Sequence, residues 1–390
     1  MTSTKKIKIA ILGSTGSIGK VSLNVISKYK YLFDIQLLVC NTNYETILVQ
    51  ISKFFPRYVY VENDRVRERL KAIKFKKTII IDNMKIFFNK YNKNSKLDKT
   101  ILGISSFDGL SYAFNFLKYT KELLIANKES IICGGNLLLK KASQNNCKIL
   151  SIDSEHYCIS QTISNDDKSN IDSIYLTASG GPFLNKPKSF YMKSSIKNVI
   201  KHPRWSMGKK ISVDSATLVN KIFEMIEAHI LFKIPISKIK IKIHPESLVH
   251  SSVVYKNGLV KMIMHNTSMT IPIRNVLLNN KSLDQTRNFF KIEKNFTLNF
   301  NETNLKQFKI LETGLNVINL GHTSWIMFNV INDLLVQKFL DNKIFFHEIV
   351  DNLIKFFKKK STLLFCKFKI KNYNDINFVI TKTISEFNKL

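Results

Sequence analysis

The chain has 390 residues, 44% hydrophobic and 23% charged, a globular mix that excludes a disordered or fibrous polypeptide and leaves room for two or three domains. No apolar run nears the ~20 residues of a membrane-spanning helix, and MTSTKKIKIAILG lacks a signal-peptide core, so a soluble cytoplasmic protein with no membrane partner is expected. The net charge of +31 suits nucleic acid, but only seven of the 60 basic residues are Arg, the type favoured for bidentate phosphate and base contacts, so no nucleic-acid partner is expected.

The 53 Lys are spread over the whole length and accompany an excess of Asn, Ile and Phe, the drift that AT-rich coding produces. Such a surface still draws an anionic substrate. Cys40, Cys133, Cys147, Cys158 and Cys366 are scattered without a C-x-x-C pair, which reads as free thiols in a reducing compartment.

Apolar strands are expected at 7–12, 35–40, 58–61, 78–81, 100–104, 122–126 and 147–152, with helical stretches between them. That alternation predicts a doubly wound, mostly parallel sheet of the Rossmann type over residues 1–152. Residues 153–279 change texture. Strands at 173–179 and 241–245, a hairpin over 251–264 turning at Asn257-Gly258, and one helix over 215–232 predict an α+β domain. Residues 164–170 read as a polar loop and 280–308 as a linker, and 309–390 carry helices at 311–319, 324–340, 345–359 and 375–388, a C-terminal helical bundle.

Several segments carry chemistry. LGSTGSIGK (12–20) runs from the first strand through Gly13, Gly16 and Gly19 into a helix, where backbone N–H groups approach a pyrophosphate. The spacing differs from G-x-G-x-x-G, and a tight structural turn is the competing reading. The second strand ends in Asn41, Thr42 and Asn43 without the acid that selects NAD, which favours NADP. In IDSEH (152–156), an extended backbone would put Asp153 and Glu155 on one face, an oxygen pair suited to Mg²⁺ or Mn²⁺ or else a solvated surface. In KISVDSATLVNKIFEMIEA (210–228), Ser215 is placed to cap a helix on which Asn220 and Glu224 share a face with Lys221 beside them, equally a polar helix side. TASGGPF (177–183) offers Ser179 and exposed backbone N–H groups, and HPRWSMGKK (202–210) has the form of a hinged lid.

Taken together, GSTGSIG (13–19), ANKES (126–130), IDSEH (152–156), SGGPF (179–183), HPRWSMGKKISVDSAT (202–217) and IHPESLVHS (243–251) resemble, in order, the 1-deoxy-D-xylulose 5-phosphate reductoisomerase family. The likeness runs strongly from about residue 7 to 280. It implies a three-domain, NADPH-using, divalent-metal homodimer that turns 1-deoxy-D-xylulose 5-phosphate into 2-C-methyl-D-erythritol 4-phosphate for isoprenoid precursors. On this resemblance the metal falls on Asp153, Glu155 and Glu224, and the catalytic groups are Lys128, Glu155 and Glu224. Substrate contacts fall on Lys128, Ser154, Glu155, Ser179, His202, Trp205, Ser215, Asn220, Lys221 and Glu224, with Trp205 and Met207 on the lid. Cofactor contacts fall on Thr15, Gly16, Ser17, Ile18, Asn41, Thr42, Asn43, Asn127, Glu129 and Gly208.

Three positions depart from the family pattern. Thr42 stands where Lys is usual, Ile222 where Gly is common, and Asn332-Asp333 where Asn-Glu is expected. The rival readings are another two-domain NAD(P)-dependent dehydrogenase and, in a different class, a Lys-rich nucleic-acid-binding protein.

Overall fold

A computed structural model describes residues 5–91, 95–163, 166–184, 186–192, 194–205, 207–280, 297–304 and 308–389. Most of the expected linker, residues 164 and 165 of the polar loop, and Ser206 of the lid segment lie outside the described residues. The chain divides into two compact units, one formed by Met1–Ser130, Leu138–Asp153 and Met269–Asp284, the other by Ile131–Leu137, Ser154–Ser268 and Gln285–Leu390.

In the first unit all seven expected strands form: β1 (Ile7–Leu12), β2 (Phe33–Cys40), β3 (Tyr58–Val61), β4 (Ile79–Ile81), β5 (Leu97–Leu102), β6 (Thr120–Ile125) and β7 (Lys148–Ser151). They pair in the order β4-β3-β2-β1-β5-β6-β7, every pair parallel. A parallel sheet covered by helices on both faces needs unbroken apolar strands, and Ile9, Ile11, Leu38, Ile101 and Leu124 are fully buried in its core. The strand order reverses at β1, which pairs with β2 on one side and β5 on the other, so a crevice opens at their carboxyl ends. Helix Ser17–Lys28 buries Leu23, Val25 and Ile26, and helix Thr270–Leu277 packs beside it. Lys99 ties that returning segment to the sheet, donating from Nζ to Val276 O at 3.0 Å and Asn279 Oδ1 at 2.8 Å while pairing with Glu122.

The second unit holds β8 (Ile171–Ala178), β9 (Ile239–Ile243), β10 (Val249–Tyr255) and β11 (Val260–Met264), ordered β11-β10-β8-β9. β8 and β9 are parallel and the other pairs antiparallel, the mixed sheet expected. The hairpin turns at Asn257-Gly258, where Leu259 N–H donates to Asn257 Oδ1 at 3.1 Å. Helices Ile310–Leu320, His322–Leu340, Phe346–Lys358 and Tyr373–Phe387 make the helical part. His322–Leu340 buries Trp325, Ile326, Phe328, Ile331 and Leu335, and Asn332 Nδ2 donates to Asp214 Oδ1 at 2.8 Å. Lys210 Nζ bridges Asp214 at 2.8 Å and Asp333 at 2.9 Å, so the Asn-Asp pair serves as an anchor here. Among the described residues no helix is long and apolar enough to cross a membrane.

Two local expectations are corrected. The helix expected over 215–232 is two helices, Lys209–Thr217 and Val219–Phe232, broken at Leu218. Leu218 has φ 64°, a left-handed conformation that a non-glycine residue adopts only under tertiary constraint, and its side chain is buried. Ser215 therefore lies inside the first helix, whose N-cap is Gly208, and caps nothing. In IDSEH the strand stops at Ser151 and a helix runs from Ser154 to Thr162, so Glu155 sits in a first helical turn, not on an extended face shared with Asp153.

Candidate active site

The glycine turn of the first unit is built for close backbone approach. Gly13 has φ +83°, and a Cβ there would stand 2.8 Å from the Gly103 carbonyl. A Cβ on Gly19 would meet Gly13 O and Ser14 O at 2.4 Å. Both positions exclude side chains, and the turn is pinned to β2 by Gly13 N–H and Ser14 N–H donating to Val39 O at 2.9 and 2.8 Å. Helix Ser17–Lys28 starts after Gly16 with no side-chain cap and no acid in its first turn. Its leading N–H groups and the positive end of its dipole are the elements of an anion site, which Thr15, Gly16, Ser17 and Ile18 line.

Asn41, Thr42 and Asn43 lie exposed at the end of β2. Asn43 Oδ1 caps the next helix by accepting from Thr46 N–H at 3.0 Å, which leaves its amide hydrogens outward. Asn127 caps helix Lys128–Gln144, accepting from Ser130 N–H at 2.6 Å, and spends its amide hydrogens on Ile104 O and on Ser106 O at 2.6 Å. It thereby fixes the loop after β5. Lys128 and Asp153 are buried and paired at 2.7 Å, and Glu129 is buried beside Lys128 in sequence.

In the second unit, Glu155 and Glu224 converge on one cation. Lys221 Nζ lies 2.5 Å from Glu155 Oε1 and also pairs with Glu224, with all three side chains buried or nearly so. An oxygen of each carboxylate lies within 4.8 Å of the other. Burial works against the Lys221 charge, but Glu155 and Glu224 override it and hold its pKa above the usual lysine value. Asn220 donates to Glu224, and Ser154 Oγ donates to Glu155. The break at Leu218 creates this arrangement, because it starts a fresh helix whose first turn carries Asn220 and Lys221 and whose second carries Glu224. Two carboxylates gathered by a buried cation form an all-oxygen donor set of the kind Mg²⁺ or Mn²⁺ takes, so the residues fit such an ion.

His202 and Ser179 form a second polar pair. The Trp205 and Arg204 N–H groups donate to His202 Nδ1 at 2.9 and 3.2 Å, which fixes Nδ1 as the acceptor nitrogen. The proton of the neutral ring is then on Nε2, 3.0 Å from Ser179 Oγ. Ser179 Oγ also accepts from Gly181 N–H at 3.1 Å, so its own hydroxyl hydrogen remains to be donated. Burial, followed by the Lys221 charge, pushes the His202 pKa down to about 4, so the ring is neutral at ordinary pH. Ser215 is half-buried on helix Lys209–Thr217, and Trp205 packs edge-on to His250 with ring centroids 5.6 Å apart. Met207 is half-buried and Gly208 is exposed; Gly208 belongs to the second unit, unlike the other expected cofactor residues.

Two clusters escaped sequence reading. His156 Nε2 donates to Glu224 O at 3.0 Å while its Nδ1 faces Glu227 Oε2 at 3.4 Å, both side chains fully buried. His250 and His265 stack with centroids 4.0 Å apart. The available signal was Glu227 itself, an acid one turn beyond Glu224 between apolar neighbours.

Three family models match the chain. One described as 1-deoxy-D-xylulose 5-phosphate reductoisomerase matches residues 9–135, its C-terminal domain matches 149–232, and the DXP reductoisomerase C-terminal domain matches 264–385. The chain is 38% identical over 370 residues to 1-deoxy-D-xylulose 5-phosphate reductoisomerase of Pelagibacter ubique, covering 95% of both chains. It is 37% identical to that of Sulfurihydrogenibium sp., covering 97% of this chain and 96% of the relative. A solved DOX-P reductoisomerase in complex with NADPH, fosmidomycin and magnesium has a TM-score of 0.83 at 28% identity, covering 98% of this chain and 99% of that one. The Zymomonas mobilis enzyme in complex with NADPH has a TM-score of 0.85 at 25% identity, covering 97% of each. This chain belongs to the 1-deoxy-D-xylulose 5-phosphate reductoisomerase family.

Proposed function

We propose that this chain isomerises 1-deoxy-D-xylulose 5-phosphate in a metal-dependent step and reduces the product with NADPH to 2-C-methyl-D-erythritol 4-phosphate, supplying isoprenoid precursors. The observation that carries the reading is the pair Glu155 and Glu224, drawn together about one buried cation in a chain of this family.

Asp153, joined to Glu155 through one residue, completes the metal donors with Glu155 and Glu224. The bound ion, Mg²⁺ or Mn²⁺, supplies Lewis acidity at the substrate carbonyl. Lys128, buried against Asp153, sets a positive charge toward oxygens that gain charge in the rearrangement. Ser154 steadies Glu155. Ser179 donates its hydroxyl hydrogen to the substrate phosphate while His202, neutral, holds that hydroxyl in place. Ser215, Asn220 and Lys221 complete the phosphate grip, whose binding energy positions the reacting end. Trp205, with Met207, covers the substrate and excludes water.

NADPH supplies the hydride. Its pyrophosphate rests on Thr15, Gly16, Ser17 and Ile18, at the uncapped start of helix Ser17–Lys28. Its adenosine end reaches Asn41, Thr42 and Asn43, and Asn127, Glu129 and Gly208 hold the remainder. Residues 1–152 form the NADPH domain, 153–279 the catalytic and dimerisation domain, 280–308 a linker and 309–390 a helical domain. β11 is an edge strand exposing Val260 and Met262, with Leu259 just before it, which supports assembly as a homodimer. Five buried free cysteines support a cytoplasmic location.

The test is product identity. Protein incubated with 1-deoxy-D-xylulose 5-phosphate, Mg²⁺ and NADPH deuterated at both C4 positions should yield 2-C-methyl-D-erythritol 4-phosphate carrying one deuterium at the reduced carbon. Recovery of unrearranged sugar phosphate alone would reject the reading.

A further inference from the structure

The turn after β2 holds three short neutral side chains, Asn41, Thr42 and Asn43, so the cation that a 2′-phosphate calls for has to come from elsewhere. The fold brings one. Glu62 N–H donates to Cys40 O at 3.0 Å, which ties the end of β3 to the end of β2 and starts helix Asp64–Lys71 beside the turn. From the last turn of that helix the Arg69 guanidinium lies over the Tyr44 ring, 3.7 Å from its centroid. Tyr44 directly follows the turn and donates its N–H to Thr42 O at 2.9 Å.

Two of the other three basic groups of this helix are spent in ion pairs, and the third, exposed Arg65, has no ring contact tying it to the turn among the described residues. Arg67 pairs with Asp64 and donates to Val61 O at 2.7 Å, and Lys71 pairs with Glu68 at 3.0 Å and with Asp82. Arg69, exposed, pairs with no carboxylate among the described residues. Stacking uses the face of the guanidinium and leaves its in-plane N–H donors for an anion, and it removes part of the rotamer entropy a free Arg would lose on binding.

We propose that Arg69, held on Tyr44, is the residue that recognises the 2′-phosphate of NADPH and so sets the choice of NADPH over NADH. The proposal rests on the dinucleotide-binding reading above. It makes Tyr44 a positioning residue, because the ring orients the guanidinium without itself meeting the phosphate.

Binding alone tests it, without turnover. Dissociation constants of 2′,5′-ADP and 5′-ADP are measured by calorimetry on the full-length wild type, Arg69→Gln and Arg69→Lys, with circular dichroism to confirm that the variants fold. Arg69→Gln should weaken 2′,5′-ADP by roughly tenfold, the size of a charge-assisted contact, and leave 5′-ADP unchanged. Arg69→Lys should fall between, keeping charge but losing the two-pronged geometry. An Arg69→Gln affinity ratio equal to wild type, or an equal loss for both ligands, overturns the assignment of Arg69. A wild type that binds neither nucleotide overturns the dinucleotide reading and the proposal with it.

Discussion

Lys221 reaches back to Glu155, 66 positions earlier in the chain, with Nζ 2.5 Å from Oε1, while also pairing with Glu224 three positions ahead on its own helix. A buried charge is tolerated only when its partners are in place, so removing any member of this set leaves the others uncompensated.

The first prediction concerns the proposed metal donors, Glu224 of this set and Asp153. Glu224→Gln and Asp153→Asn each remove an anionic donor from a hard cation and should lower kcat by about 10²-fold or more. NADPH affinity should be unchanged in Glu224→Gln, since the glycine turn lies in the first unit and Glu224 in the second. Variants that keep more than about a tenth of wild-type kcat would remove these residues from the metal site.

The second concerns pH. Burial pushes the His202 and His250 pKa values down to about 4, with the Lys221 charge adding to the effect at His202. The unfolded chain takes up these protons near the ordinary histidine value of about 6.5, so it binds more protons than the native state between about 6.5 and 4. Stability should therefore fall as pH drops through that window, by up to about 1.4 kcal/mol per pH unit for each fully excluded proton. Urea midpoints compared at about pH 7 and pH 5 check this, and His250→Asn should flatten the slope. Equal midpoints at both pH values would contradict it.

The third concerns the lid. Arg204 is exposed, its Nε donates to Pro245 O at 3.1 Å, and Trp205 packs on His250. Trypsin cleavage after Arg204 should slow several-fold when 1-deoxy-D-xylulose 5-phosphate and Mg²⁺ are bound. A rate insensitive to ligand would make Trp205 ordinary packing.

The fourth concerns Thr42. Thr42→Lys adds an exposed cation at the adenosine end, worth ~0.2–1 kcal/mol, and should widen the NADPH over NADH ratio of kcat/KM by up to about fivefold. An unchanged ratio would show that this position does not face the 2′-phosphate.

Strand positions were legible because each buried parallel strand is a short apolar run, as in β1 with Ile9, Ala10, Ile11 and Leu12 all fully buried. The glycine turn was legible because the close approaches at Gly13 and Gly19 admit no other residue. The break at Leu218 was not, since the sequence there has no glycine or proline and the left-handed turn is imposed by packing. The helical start of IDSEH was hidden for a related reason, because only two residues separate it from the end of a strand. The proton placement on His202 depends on two backbone N–H groups, of Arg204 and Trp205, that only the folded chain aims at Nδ1. The contact of Arg69 with Tyr44 was invisible because it joins two separate helices across the end of β2.

The most direct measurement is NADPH consumption by the purified protein given 1-deoxy-D-xylulose 5-phosphate, followed with Mg²⁺ or Mn²⁺ present, after chelation, and after the metal is restored. The account predicts oxidation that requires both the sugar phosphate and the metal, stops on chelation and returns on restoration. Oxidation that continues unchanged in the chelated protein, or none under any of these conditions, would contradict it.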